Sequence, residues 1–258
     1  MKNFSALFLI FIASFGFAQS SKLDNKKTSN LDWLVSPFEQ KATITNEGQN
    51  IILNNGLVKR SFVIAPNVAC FDYTNLTNGQ QLIRSIEPEA KVVIDQITYK
   101  VGGLSGQKEK AYLQIDQIKN LQKADSDFVF SKYTIGKIEP FIKWKPTTWI
   151  GNAKQPTGAR IEFEYVSPIA ALKNIIIKVH YEIYDGIPLI TKWISIQNNS
   201  SKSIKINRVV NEVLGLVEEE SAVVGKPEEM KKQHGIYVET NYAFNNAMRY
   251  DISDQTTH

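Results

Sequence analysis

Residues 175–197 constrain the fold more than any other part of the chain. Ile175, Ile177, Val179, Tyr181 and Ile183 alternate with Ile176, Lys178, His180, Glu182 and Tyr184. Side chains of a β-strand point to opposite faces in turn, so this period of two predicts a strand with one apolar face. Asp185-Gly186 follows, and glycine reaches positive φ at no steric cost, so the pair predicts a tight hairpin turn. Pro188 stands near the start of a second strand over 189–197, where its missing N–H is tolerated. Residues 198–203 are a polar turn, and a third strand is predicted over 204–210. The expectation is a three-stranded antiparallel meander with Trp193 in its core.

The rest of the chain carries the same pattern. Short strands are predicted over 41–45 and 50–53, around Glu47-Gly48, with a turn at Asn54-Asn55-Gly56. Strands over 57–64 and 68–73 flank Pro66-Asn67, and Asn78-Gly79 is a turn. Residues 91–94 pair with 97–101 about Asp95-Gln96, a poorer turn pair than Asp-Gly. Gly102, Gly103 and Gly106 are assigned to a turn or bulge, since no Gly-Lys-Ser/Thr ending follows them. Tyr112, Ile115, Ile118 and Leu121 stand at helical spacing, but 108–125 is assigned to strand and loop. Strands over 128–135 and 160–166 are clearer, with Ile161, Phe163 and Tyr165 sharing a face. Further strands are predicted over 211–216 and 236–239. One short helix is predicted over 226–232, with Pro227 in its first turn and lysines at its end. Trp33, Leu34, Val35 and Phe38 are expected to dock on the sheets. The fold class is therefore all-β, a large antiparallel β-sandwich with one short helix.

Composition sets the setting. The chain has 258 residues, enough for one large sandwich over 31–258, and 43% hydrophobic residues supply its core. The net charge is +4, with basic residues spread among acids rather than in blocks, which argues against a nucleic-acid partner. Lys2 precedes an apolar run over 4–17 that is too short to span a bilayer. Ser14, Gly16 and Ala18 are small, so residues 1–18 are expected to be a signal peptide cleaved after Ala18, followed by a flexible polar lead-in over 19–30. No other apolar run approaches membrane length, so no membrane span is expected after cleavage. Cys70 is the only cysteine, which rules out an internal disulfide and leaves stability to the core. Those features suit a protein exported to the periplasm or exterior of a Gram-negative bacterium.

The segment 181–213, YEIYDGIPLITKWISIQNNSSKSIKINRVVNEV, resembles the large β-sandwich that precedes the catalytic barrel in melibiase-type α-galactosidases, glycoside hydrolase family 36. A strand ending in tyrosine, an Asp-Gly turn, a Pro-x-Ile-x-Lys-x-Ile-x-Ile-x-Asn strand and a further strand recur there in this order. Residues 54–60, NNGLVKR, resemble the opening of many carbohydrate-active sandwiches. The resemblance implies a galactose-mutarotase-like supersandwich, an accessory role, a downstream catalytic barrel as partner, and a galactoside or other oligosaccharide as ligand of the whole enzyme. In that family the nucleophile and the acid/base lie on the barrel, in motifs without a counterpart here, so no catalytic residue is assigned.

Other chemistry finds little support. His180, His234 and His258 lack metal-ligand spacing and no Cys-x-x-Cys occurs, so neither metal nor cofactor is expected. Cys70 is expected to be a small buried hydrophobe. There is no Gly-x-Ser-x-Gly elbow. Glu162, Glu164 and Glu218 to Glu220 are expected to face solvent. Sugar binding has a better candidate in the aromatic loop after 138. There Trp144 and Trp149 could stack on pyranose rings while Lys143, Lys145 and Asn152 bond hydroxyls. The competing reading packs that loop on its own sandwich. Tyr242, Phe244 and Tyr250 are candidates to cover an interdomain surface. A stand-alone carbohydrate-binding protein and a sandwich that only mediates protein association are the rival readings.

Overall fold

The computed structural model describes residues 32–109, 111–140, 155–217 and 236–239. The described residues are built on fourteen strands and two short 3-10 turns. Strands β1 (Thr43–Glu47), β2 (Asn50–Asn54), β3 (Val58–Val63), β4 (Ala69–Asn75) and β5 (Gln80–Gln81) form one sheet in sequence order. β6 (Ile83–Ser85), β7 (Ala90–Ile94) and β8 (Ile97–Val101) come next, then β9 (Val129–Lys137), β10 (Gly158–Val166), β11 (Ile175–Tyr184) and β12 (Ile190–Asn198). The last four make a second sheet, β12-β11-β10-β9. β13 (Ile206–Val210) joins a three-stranded sheet, β13-β7-β8, and β14 (Gly215–Leu216) pairs with β6. Every pairing between these strands is antiparallel, so the fold is an all-β sandwich.

The alternation that predicts β10 and β11 also makes the core. Ile161, Phe163, Tyr165, Ile177, Val179, Tyr181 and Ile183 are fully buried between the sheets. Phe62 of β3 meets Phe163 at 5.3 Å and Tyr181 at 5.1 Å between ring centroids, joining the first sheet to the second. Each such side chain contributes about 1.5–3 kcal/mol of burial free energy. Gly158 opens β10 because a Cβ there would stand 2.1 Å from the Ile183 carbonyl oxygen across the ladder. The Asp95-Gln96 turn closes the β7–β8 hairpin with φ of 49° and 70°, both in the left-handed region. Tertiary contacts hold it there: Asp95 N donates to Lys205 O at 2.9 Å, and Gln96 N donates to Asn207 Oδ1 at 2.9 Å.

Several expectations are corrected. The meander stops at two strands: β13 leaves β12 and pairs with β7. Its register sets Ile206 beside Ile94 and Val209 beside Val92, although both β13 side chains stay exposed. Strand β12 keeps a free edge among the described residues, with Lys192 pointing inward, a charge placement that discourages further strand addition. Trp193 is not core; it pairs in register with His180 on the outer face, while Ile190, Ile194 and Ile196 pack inward. Residues Ile115–Asn120 form a 3-10 turn rather than a strand. Ile118 and Leu121 cover the back of β3 and β4 at Val63 and Ala69, whereas Tyr112 and Ile115 are exposed. Residues 236–239 form no strand. Leu34 and Val35 are exposed; in that segment Phe38 comes against the backbone at Gly56. The helix expected over 226–232, the signal peptide and the lead-in lie outside the described residues.

Candidate functional site

Trp144, Trp149, Lys143 and Asn152 lie outside the described residues, as do His234, His258, the 218–220 acids, Tyr242, Phe244 and Tyr250. The corner from which the aromatic loop departs is described. β9 ends at Lys137 and β10 starts at Gly158, with Lys137 in register with Ala159. Beside them Asp185 clamps three segments. Its Oδ2 accepts a hydrogen bond from Thr157 Oγ1 at 2.6 Å, its Oδ1 accepts one from Ala42 N at 2.7 Å, and Lys41 Nζ stands 3.3 Å away. Burial works against the Asp185 charge, but these bonds outweigh it and hold the carboxyl below its usual range. Asn55 secures the same turn from the other side. Its Nδ2 donates to the carbonyls of Tyr184 and Ile187 at 2.7 Å, and its Oδ1 accepts from Leu57 N at 3.0 Å and Val58 N at 2.9 Å.

A buried ion cluster lies between the sheets. Arg60 of β3 makes a two-pronged contact with Glu212, at 2.7 and 3.2 Å. Lys192 of β12 donates to Glu212 Oε1 at 2.8 Å and to the Glu89 carbonyl, and its Nζ is 3.7 Å from Glu89 Oε2. Glu89 also accepts from the Tyr181 hydroxyl and from Cys70 N. Two cations therefore meet two carboxylates, so the buried charges balance. Aromatic faces complete the cage: the Arg60 guanidinium carbon lies 4.8 Å from the Tyr181 ring centroid and 5.0 Å from that of Tyr73. Burial opposes the Glu212 charge, yet Arg60 and Lys192 prevail and bring its carboxyl down to about 2. Burial lifts the Cys70 thiol to about 12, so this cysteine is an inert hydrophobe, as expected. The carboxylates are saturated by cations, and no group of three metal-ligating side chains occurs among the described residues. The cluster ties β3, β11, β12 and the chain before β7 and β14 together; it has no open position for chemistry.

Sequence reasoning missed this cluster. Its one legible signal was Lys192, a cation on the inward parity of β12, which demands a buried partner. Glu89 and Glu212 sit outside regular strands and carry no periodic signal at all.

The outer face of the second sheet carries a second polar group. Glu162 and Glu164 are not solvent-facing, as the sequence suggested, but half-buried or buried in ion pairs. Lys178 Nζ lies 2.7 Å from Glu162 Oε1 and 3.7 Å from Glu164 Oε2, and Lys132 Nζ lies 3.5 Å from Glu164 Oε1. His180 is wedged between strands, its ring stacked on Trp193 at 4.9 Å and 2°. Its Nε2 is 2.9 Å from Ser195 Oγ, and its Nδ1 is 3.3 Å from Glu162 Oε2, off the line of a hydrogen bond. Burial lowers the His180 pKa; Glu162 works against that, and Arg160 and Lys178 add to it, so the imidazole is neutral at pH 7.

No helix among the described residues is long and apolar enough to cross a membrane. No protein-family model, curated protein or solved structure matches the chain.

Proposed function

We propose that this chain is the accessory β-sandwich of an exported, α-galactosidase-like glycoside hydrolase and carries no catalytic pair of its own. The observation that supports this reading is the meeting of the two segments whose sequences resemble such sandwiches. Residues 54–60 and 181–213 are far apart in the chain. Asn55 nevertheless caps the Asp185-Gly186 turn, and Arg60 of the same segment lies against Tyr181 and Glu212. The recurrent residues of both segments thus serve one structural purpose, which is what a shared scaffold requires. Glycoside hydrolysis needs two carboxyl groups facing one sugar across an open site. Glu89, Glu212, Glu162, Glu164 and Asp185 are instead all engaged with cations. In this reading the barrel lies downstream, and the loop bearing Lys143, Trp144, Trp149 and Asn152 leaves the sandwich at the Asp185 corner to rim the sugar site.

Hydrolysis of a chromogenic α-galactoside tests the proposal, with the 258-residue chain and the longest product its gene encodes assayed side by side. Activity in the longer product alone is the expected result. Activity in the short chain overturns the claim that it lacks a catalytic pair. Inactivity of both, with measurable glycan binding by the short chain, favours a stand-alone binding protein; neither activity nor binding leaves a sandwich for protein association.

A further inference from the structure

We propose that Ser195 is a nucleophilic serine on the outer face of the second sheet, accepting acyl groups from small activated esters with His180 as its general base. The inference is independent of the galactosidase reading. It rests on three residues from three adjacent strands. In the register, Glu162 of β10 stands opposite His180 of β11, and His180 opposite Trp193 of β12, which places Ser195 two residues on, on the same face. Ser195 Oγ is 2.9 Å from His180 Nε2, and His180 Nδ1 is 3.3 Å from Glu162 Oε2. That is the order nucleophile, base and carboxylate; the Ser195–His180 pair is within hydrogen-bond reach, while Glu162 is bonded to Lys178 and faces Nδ1 without a hydrogen bond.

The surroundings suit the roles. Ser195 is exposed, so an ester can reach it. His180 is buried and its ring is fixed by the stack on Trp193, so little freedom is lost in holding it against the serine. A base must be neutral to take a proton, and burial beside Arg160 and Lys178 favours the neutral imidazole. The Nδ1 contact is off line; such bonds tighten as positive charge develops on the ring. Lys178 stands directly opposite Ser195 in the register and, held by Glu162 and Glu164, puts a cation on the same face.

The steps balance without any added reagent. Ser195 Oγ attacks the ester carbonyl carbon while its proton passes to His180 Nε2. Collapse of the tetrahedral adduct breaks the ester C–O bond, and the leaving oxygen takes that proton. Water, deprotonated by the same nitrogen, then attacks the acyl-serine and releases the carboxylic acid and the free hydroxyl. Ser195 is exposed while His180 beside it is buried, so the substrate class taken is a small, unhindered ester such as an aryl acetate.

The test is fluorophosphonate labelling of the 258-residue chain, with the adduct located by peptide mass, and p-nitrophenyl acetate turnover across pH. A single adduct on Ser195 is expected, absent in Ser195→Ala and formed about a hundredfold more slowly in His180→Gln. Glu162 favours the protonated form of His180, so Glu162→Gln should move the acid inflection of the rate to lower pH. A rate that does not pass through His180 would leave that inflection in place. Far-UV circular dichroism shows whether His180→Gln is folded; if it is not, the wild-type and Glu162→Gln pH profiles decide. No adduct at Ser195, an adduct that forms equally fast in folded His180→Gln, or a rate with no inflection shifted by Glu162→Gln overturns the proposal.

Discussion

Glu212 shows how one residue can set the acid limit of the fold. Its carboxyl titrates near 2 in the native state against an ordinary 4.5, because Arg60 and Lys192 hold it ionised. A carboxyl whose folded pKa is depressed stabilises the fold above its unfolded pKa, and that contribution fades as pH falls through the folded one. The loss should therefore fall between about pH 5 and pH 2. Glu212→Gln removes this titration and leaves Arg60 and Lys192 buried without their shared partner. Removing one member of a buried pair costs 3–5 kcal/mol; with the Glu212 side chain 30% exposed, the expected cost is about 3 kcal/mol at pH 7. Urea midpoints of wild type and variant at pH 7 and pH 3 check both statements: the gap between them should narrow at pH 3. The same residue marks a limit of sequence reading. Arg60 and Glu212 are 152 positions apart, and nothing local says that they touch.

At the scale of elements, hairpin turns were the most legible features and strand neighbours the least. The Asp95-Gln96 turn forms despite its poor residues because Lys205 and Asn207, far along the chain, fill its hydrogen bonds. Gln96 stands at φ 70°, a conformation that costs an ordinary side chain about 1–2 kcal/mol. Gln96→Gly keeps the backbone N–H that Asn207 accepts and should raise stability by about 0.5–1 kcal/mol, part of the relief being lost to the freer unfolded chain. Thermal midpoints at neutral pH measure it, and a fall in stability would show that the turn is not strained. In the segment 108–125 a 3-10 turn at Ile115–Asn120 takes the place of the expected strand, flanked by the expected loop, for a physical reason. A 3-10 turn repeats every three residues, so Ile115, Ile118 and Leu121 fit its period as well as that of a frayed α-helix, and a strand pattern explained them no better. Its burial is decided by what lies beneath, namely Val63, Ala69 and Ile86.

For the whole molecule, one main core joins the sheets, with a smaller cluster formed by Val63, Ala69, Ile86, Ile118 and Leu121. Phe62, Val92, Ile94, Phe128, Phe163, Ile177 and Tyr181 belong to a single apolar cluster drawn from three of the sheets, and the ion cluster joins β3 of the first sheet to β12 of the second. The described sandwich should therefore unfold in one cooperative step, without a separately melting half. Cys70 provides an internal probe, because its thiol is buried and held near 12. Reaction with a thiol reagent should be negligible in the native protein and should appear at the same denaturant concentration as the loss of far-UV circular dichroism. Labelling ahead of that transition would mean that the sheet pair β3–β4 opens on its own.

The fold class, the alternation of β10 and β11, the Asp185-Gly186 turn and the burial of Cys70 can be read from the chain alone, because each depends on neighbouring residues or on a period of two. The chain also carried the alternation of β12, although Trp193 was expected in the core and lies on the outer face while Lys192 points inward. Packing in space was needed to show that β13 deserts β12 for β7, that Asn55 caps a turn more than a hundred residues away, and that Glu89 and Glu212 neutralise Arg60 and Lys192. Strand partners and buried ion pairs are chosen by which surfaces close together in space. That choice minimises exposed apolar area and unpaired charge over the whole chain, and local sequence holds no record of it.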